Sequence, residues 1–214
     1  MKNTPQQHIP LSKNSFDLVK YTPRIERFSK NNDIEIVLDE TFSHTAAIDL
    51  ENIQKPKIIL NPKMIKEKFA YSDEEIVLDI GHEFGHFKEE LQLQSTAKGK
   101  DISTQRIKRF EEKQHLAPSY HTLENILRDI WVNNDLISPN NLPVLKDTLY
   151  SNYKEKMFKE KNYQELPKHV QFMYTIIRES MVPDEKCIVD TQVRKAIQRL
   201  ERNETIKEST QGAL

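Results

Sequence analysis

Residues 72–94 read SDEEIVLDIGHEFGHFKEELQLQ, and this stretch decides the fold that we predict. Ser72 followed three residues later by Glu75 is a capping box, which marks the start of an α-helix. At about 100° per residue, the apolar side chains of this segment fall within about 40° of one direction. They are Ile76, Ile80, Phe84, Phe87 and Leu91. We therefore predict one amphipathic helix over 72–94 with this apolar face in the core.

Residues 82–86 of this helix, HEFGH, carry the pattern HExxH. Histidines at i and i+4 lie on one helix face, so both imidazoles can reach one metal ion, and neutral imidazole is a good zinc ligand. On the helical wheel this pair lies opposite the apolar face and is expected to face a cleft. A glutamate directly after the first histidine can accept a proton from water at an open metal position. The pattern predicts His82 and His86 as metal ligands and Glu83 as a general base.

Glycine is scarce in this chain, with four residues in 214 against roughly 15 expected at the average usage of about 7%. Two of the four, Gly81 and Gly85, lie within the predicted helix beside the histidines. Glycine inside a helix costs roughly 0.5–1 kcal/mol relative to alanine. We interpret the two glycines as positions where another element approaches the helix closely near the metal.

The remaining segments predict strands before this helix and helices after it. Three short runs rich in β-branched residues indicate a small antiparallel or mixed sheet, most simply a meander; they are 34–38, 46–50 and 57–60. Short helices are expected at 16–28, interrupted at Pro23, and at 64–69. Later helical segments are expected around 102–110, 122–137, 143–160, 166–181 and 190–202.

Residues 1–214 contain no flexible linker rich in glycine, serine or proline, so we predict one α+β domain with two lobes. The sheet and the HExxH helix form the first lobe, 1–98, and the later helices form the second, 119–202. Residues 203–214 are expected to be a flexible tail. The charged segment 94–118 is expected to be solvated surface, with a lid over the cleft as the alternative.

A third metal ligand must come from beyond the HExxH helix. The candidates are His115, His121, Glu124 and Asp129. On the predicted helix 122–137, Asp129 lies opposite the apolar face, as the histidines do on theirs, whereas Glu124 lies about 140° away from it. This geometry favours Asp129 and leaves the other three open. The alternative for Asp129 is an exposed ion pair with Arg128 or with lysine side chains, which would stabilise little.

A strand that ends in ILNP (59–62), followed by a capped helix with HEFGH, resembles the zincin metallopeptidases. The resemblance covers roughly residues 34–137, and HExxH is its specific part. It implies a zincin-like fold in which a sheet lies over the HExxH helix and a mainly helical C-terminal lobe supplies the third ligand. The metzincin class would require glycine at 89 and histidine or aspartate at 92, where this chain has Glu89 and Gln92.

The segment after the charged region narrows the resemblance. Gluzincins use Glu-x-x-x-Asp on this helix, but here the four-residue spacing is Asn125-x-x-x-Asp129, followed by Val-Asn at 132–133. This variant is similar to the metallopeptidase domains found with von Willebrand A-type modules, and in its aspartate ligand to aspzincins. The resemblance implies Zn²⁺ held by His82, His86 and Asp129, and Glu83-assisted attack of a zinc-bound water on a peptide bond.

The expected function is therefore zinc-dependent peptide hydrolysis, with a protein or peptide as substrate and a regulatory partner that the sequence does not identify. The alternative is a non-catalytic, zincin-like metal-binding module for protein interaction. Glu83 favours the enzyme, because a scaffold has no need of that carboxylate. An enzyme also needs a donor for the oxyanion. The candidates are Tyr150, Tyr153, His169, Tyr174 and Arg178.

Composition excludes several other classes. A net charge of −1 with 30% charged residues gives no overall attraction to nucleic acid. No run approaches 18 apolar residues, so no membrane association is expected. The N-terminus lacks the apolar segment of a secretory signal, and one cysteine cannot form an internal disulfide, so we expect a cytoplasmic protein. That cysteine, Cys187, is expected to be a small buried residue.

Overall fold

The computed structural model describes residues 17–21, 23–24, 34–112, 117–157, 159, 162–182 and 185–201. The predictions for the tail 203–214, for most of 16–28 and for His115 lie outside these residues. The described part is a mixed α+β fold, as predicted. Its strands are β1 (Glu35–Leu38), β2 (Ala46–Asp49) and β3 (Lys57–Leu60), and its helices are α1 (Asp73–Ser95), α2 (Ala97–Glu112), α3 (Ala117–Leu136), α4 (Lys146–Ser151), α5 (Lys168–Met181) and α6 (Thr191–Glu201).

The three strands form one mixed sheet in the order β1-β3-β2. β3 pairs in parallel with β1 and antiparallel with β2. The predicted mixed sheet is confirmed, but the meander is wrong because the last strand lies between the first two. The central position gives β3 hydrogen-bond partners on both sides and buries Ile58 and Leu60, whereas the residues of β2 are only half-buried.

The HExxH helix α1 begins as its capping box predicts. The Ser72 side chain accepts a hydrogen bond from the Glu75 backbone N–H, and the Glu75 carboxylate accepts one from Ser72 N–H. The predicted apolar face is buried at Ile76, Ile80, Phe84 and Phe87, and Leu91 is half-buried. Val77 and Leu78, on other sides of the helix, are buried as well. α1 contacts the sheet and also α2, α3 and α4, so it is enclosed on more sides than one amphipathic face predicts.

Other predicted helices differ from the structure in length and type. The charged segment carries the 16-residue helix α2 rather than a short helix over 102–110. The segment predicted as one helix over 143–160 consists of a 3₁₀ turn (Pro143–Leu145), the six-residue α4 and a π-helical turn (Asn152–Met157). The helix predicted at 64–69 is also a π-helical turn, Met64–Lys68.

Buried apolar side chains from the sheet and from the helices form one cluster. It includes Ile58 of β3, Ile80 of α1, Ile130 of α3, Ile176 of α5 and Ile197 of α6. Cys187 is a buried member of this cluster, and its burial was predicted. In the part of the chain that the structure describes, no helix is long and apolar enough to cross a bilayer.

Asn61 joins the end of β3 to two neighbouring segments. Its Nδ2 donates to the carbonyl oxygens of Glu40 (3.1 Å) and Phe42 (2.6 Å), and its Oδ1 accepts from the backbone N–H of Met64 (3.0 Å). Asn61 is 2% exposed, and Asn61→Asp keeps the shape but turns a carboxylate oxygen toward the two carbonyl oxygens. We expect the free energy of unfolding to fall by about 2–4 kcal/mol, measured by urea denaturation.

The matched control is Asn52→Asp at an exposed loop position. Asn52 Oδ1 accepts from the backbone N–H of Gln54 (3.1 Å), and aspartate preserves that bond. We expect a change within about 0.5 kcal/mol. Equal effects of the two substitutions would contradict the role assigned to Asn61.

Candidate metal centre

Helix α1 places His82 and His86 one turn apart with their rings edge to face. The ring centroids are 4.7 Å apart, and the ring planes are inclined at 88°. The Nε2 atoms of the two rings approach to 3.1 Å. Both imidazoles therefore direct the same type of atom toward one point.

Helix α3 brings Asp129 to that point. Asp129 Oδ1 lies 3.2 Å from His86 Nε2 and 3.6 Å from His82 Nε2. Tetrahedral ligands at about 2.0–2.1 Å from zinc stand roughly 3.3–3.5 Å from each other. The three donor atoms, at 3.1–3.6 Å from one another, thus have mutual separations close to those of three ligands on one face of a tetrahedral ion.

Among the described residues, this is the group of histidine and acidic side chains that could hold a metal ion. Glu124 is not a member, in agreement with its direction on the helical wheel. Of the other two candidates, His115 and the side chain of His121 lie outside the part of the chain that the structure describes. The helical wheel thus favoured Asp129, which is the carboxylate that the structure places beside the two histidines.

A buried asparagine that the sequence analysis missed lies behind His82. Asn133 Oδ1 is 2.9 Å from His82 Nδ1, and the side chain is 2% exposed. Behind His86, the Glu89 carboxylate lies 3.7 Å from Nδ1. A neutral ring with its proton on Nδ1 would direct that proton toward an oxygen atom and leave the lone pair on Nε2. Two ring nitrogens and a carboxylate oxygen then converge, which is the donor chemistry of a cation site.

The electrostatics of the cluster show how strongly the three groups interact. Burial lowers the pKa of His82, but the hydrogen bond with Asp129 and the charge of Glu83 outweigh burial and raise the pKa to about 9. The pKa of His86 is also raised, since Asp129 and Glu89 outweigh its burial. Burial raises the pKa of Asp129, and the two histidines hold it well below its usual range. The anionic carboxylate thus attracts either protons on the rings or a metal ion that displaces them.

Glu83 follows His82 on α1 and is half-buried. Its charge raises the pKa of both histidines, which places its carboxylate within electrostatic reach of the cluster. Within the described residues it forms neither a hydrogen bond nor an ion pair. The Asp129 side chain is 40% exposed. Solvent therefore reaches the cluster on the side of α3, and none of the described side chains occupies the Glu83 carboxylate.

Arg128 pairs with Glu89 rather than with Asp129. Its Nε donates to Glu89 Oε2 over 2.6 Å, and Glu89 is 8% exposed. The alternative in which Asp129 forms a surface ion pair with Arg128 is therefore not what the structure shows. The Glu89 carboxylate joins α1 to α3 beside the cluster.

The oxyanion candidates lie in different surroundings. Tyr153 is connected to the cluster, because its hydroxyl accepts a hydrogen bond from Asn133 Nδ2 over 3.0 Å. Arg178 is 1% exposed and pairs with Glu185. Tyr174 packs its ring edge to face against another tyrosine. Tyr153 is therefore hydrogen-bonded to a residue that contacts the cluster.

The predicted close approach at the glycines is confirmed at Gly85. A Cβ atom at this position would lie 2.3 Å from Cγ1 of Val132 on α3. Val132 directly precedes Asn133 on α3. Because Gly85 has no side chain, α3 can pack this closely against α1 beside the histidines. Gly81 lines a small cavity beside the same crossing of the two helices.

Comparison with known proteins adds no family assignment. No protein-family model, curated protein or solved structure matches this chain. The interpretation of the site therefore rests on the HExxH motif and on the geometry of His82, His86 and Asp129.

Proposed function

We propose that this chain is a zincin-like, zinc-dependent metallopeptidase in which His82, His86 and Asp129 bind the metal. The observation that carries the proposal is the convergence of three donor atoms at 3.1–3.6 Å from one another, contributed by two helices. A zinc ion held by three ligands supplies a lowered water pKa and polarises a carbonyl group.

The role that we propose for Glu83 follows from its position. Its carboxylate follows a ligand histidine on α1 and has no partner among the described side chains, so it is available to accept the proton of the attacking water. It can then deliver that proton to the leaving amine of the cleaved peptide bond. A protein that only bound metal would not need a carboxylate base at this position.

The choice of zinc over another metal also needs a chemical reason. Two histidines and one carboxylate can hold Fe(II) in oxygenases. Glu83 beside the donor set favours hydrolysis, because a basic carboxylate serves proton transfer from water. The metal content of protein purified without chelator, measured for zinc and iron together, decides between the two.

Glu83→Gln tests the peptidase directly. The amide keeps the size of the side chain but removes the base, so we expect zinc binding to remain and peptide cleavage to fall by about 10²–10⁴-fold. Zinc is measured by elemental analysis, and cleavage is measured by mass spectrometry on a casein digest. Glu90→Gln is the control on the same helix, since Glu90 accepts a hydrogen bond from Gln94 (3.0 Å) outside the cluster, and we expect it to leave cleavage unchanged.

The outcomes separate the proposed enzyme from its alternative. Cleavage by Glu83→Gln at the wild-type rate would show that Glu83 is not the base. Stoichiometric zinc in wild-type protein without cleavage of any substrate would favour the metal-binding interaction module. Protein that neither contains nor takes up metal would contradict both.

A further inference from the structure

Asn133 is a buried polar side chain directly behind the metal cluster. It follows Asp129 by one turn of α3 and is 2% exposed. Both halves of its amide have partners: Oδ1 faces His82 Nδ1 at 2.9 Å, and Nδ2 donates to the Tyr153 hydroxyl at 3.0 Å. A buried amide is costly unless it is hydrogen-bonded. The contacts to His82 and Tyr153 satisfy the amide in this orientation.

The chemistry of imidazole gives the contact with His82 its meaning. A neutral ring carries one proton, on either Nδ1 or Nε2. A carbonyl oxygen only accepts hydrogen bonds, so Asn133 Oδ1 favours the form with the proton on Nδ1. His82 Nε2, which faces Asp129 at 3.6 Å, then has a free electron pair. The opposite amide orientation would present a donor to Nδ1 and favour a proton on Nε2, where it would exclude a metal.

The second histidine is held less directly. His86 Nδ1 lies 3.7 Å from the Glu89 carboxylate, beyond hydrogen-bond distance, and that carboxylate is already bound by Arg128 at 2.6 Å. Of the two Nδ1 contacts, the one between His82 and Asn133 is therefore within hydrogen-bond distance, and the one between His86 and Glu89 is not.

We propose that Asn133, supported by Tyr153, is a positioning residue that keeps the proton of His82 on Nδ1 and thereby reserves Nε2 for the metal. This inference rests on the proposed metal site but not on the peptidase activity. Helix α3 then has two functions one turn apart. Asp129 binds the metal, and Asn133 fixes the tautomer of His82.

Zinc affinity provides the first test, by competition with a chromophoric chelator. Asn133→Ala removes the acceptor, and we expect affinity to fall by about 10–100-fold, as is typical when the partner of a ligating histidine is lost. Asn133→Asp retains an acceptor and should bind zinc nearly as tightly as wild type. Val132→Ala is the matched control, because it truncates the adjacent buried side chain without touching the imidazole. We expect its zinc affinity to be unchanged.

The second readout is the Nδ1 proton of His82 in zinc-loaded protein, observed by NMR. In wild type and in Val132→Ala, the hydrogen bond to Asn133 should protect this proton from exchange with water. In Asn133→Ala the protection should be lost, and in Asn133→Asp it should return. Packing alone would not produce this order of variants.

Tyr153→Phe keeps the inference testable if Asn133→Ala does not fold. It removes the partner of Asn133 Nδ2 and should weaken both zinc affinity and Nδ1 protection, by less than loss of the acceptor itself. Wild-type values for Tyr153→Phe would overturn the supporting role of Tyr153, and wild-type values for Asn133→Ala would overturn the whole inference.

If wild type binds zinc but cleaves no peptide, the affinity series still supports the inference while the peptidase fails. If wild type binds no zinc, the inference fails too.

Discussion

Replacing Asp129 with alanine is expected to lower zinc affinity more than about 100-fold. Loss of a residue that only supports a metal ligand typically costs about 10–100-fold, and Asp129 is the proposed ligand itself. Asp129 Oδ1 is the donor atom that α3 contributes, 3.2 Å from His86 Nε2 and 3.6 Å from His82 Nε2. Without it the two histidines alone face the ion, and the remaining positions are left to water. The measurement is zinc titration of metal-free protein in competition with a chelator.

Glu124→Ala is the matched control for this result. It also replaces a carboxylate on α3, but Glu124 is not part of the cluster formed by His82, His86 and Asp129. We expect Glu124→Ala to bind zinc as wild type does. The reverse result, with zinc lost from Glu124→Ala and retained by Asp129→Ala, would show that Glu124 is the third ligand and that the proposed site is wrong.

The features that the sequence predicted correctly are local in the chain. The capping box at Ser72 and Glu75 and the proximity of His82 and His86 depend on spacings of three and four residues, which a helix converts directly into contacts. Asp129 required one further step, because its direction on α3 had to match the histidine face of α1. Both helices keep their apolar stripe in the core, and that common constraint turned the polar faces toward each other.

The features that were missed or wrong depend on contacts between distant segments. The apolar strand β3 takes the centre of the sheet because that position buries Ile58 and Leu60, and strand order is not encoded in the spacing of 57–60. The partnership of His82 with Asn133 joins residues 51 positions apart. One signal for Asn133 was available: it follows Asp129 by four residues and so shares its helix face, but that spacing alone does not select the ring that it contacts.

The close packing of α1 on α3 at Gly85 leads to the prediction about stability. Alanine normally stabilises a helix relative to glycine by about 0.8–1.0 kcal/mol. At Gly85 we expect the opposite sign, because the new Cβ would lie 2.3 Å from Val132 Cγ1 and valine has little rotameric freedom in a helix. Overpacking of a core costs about 1–3 kcal/mol, and the helix gain of about 1 kcal/mol offsets part of that cost. Gly85→Ala should therefore lower the free energy of unfolding by up to about 2 kcal/mol in urea denaturation.

The double variant Gly85→Ala with Val132→Ala separates steric conflict from any other effect of alanine. Val132→Ala alone should cost about 1.5–3 kcal/mol of buried apolar contact. Combined with Gly85→Ala it removes the colliding Cγ1, so the double variant should be more stable than the sum of the two single effects by about 1–3 kcal/mol. Zinc affinity depends on the spacing of α1 and α3, which sets the distance from His86 to Asp129, and not on the Val132 side chain itself, so Val132→Ala alone should bind zinc as wild type does. Zinc affinity should fall in Gly85→Ala and recover in the double variant. Strictly additive stabilities would mean that the contact between Gly85 and Val132 does not set the spacing of the two helices that form the site.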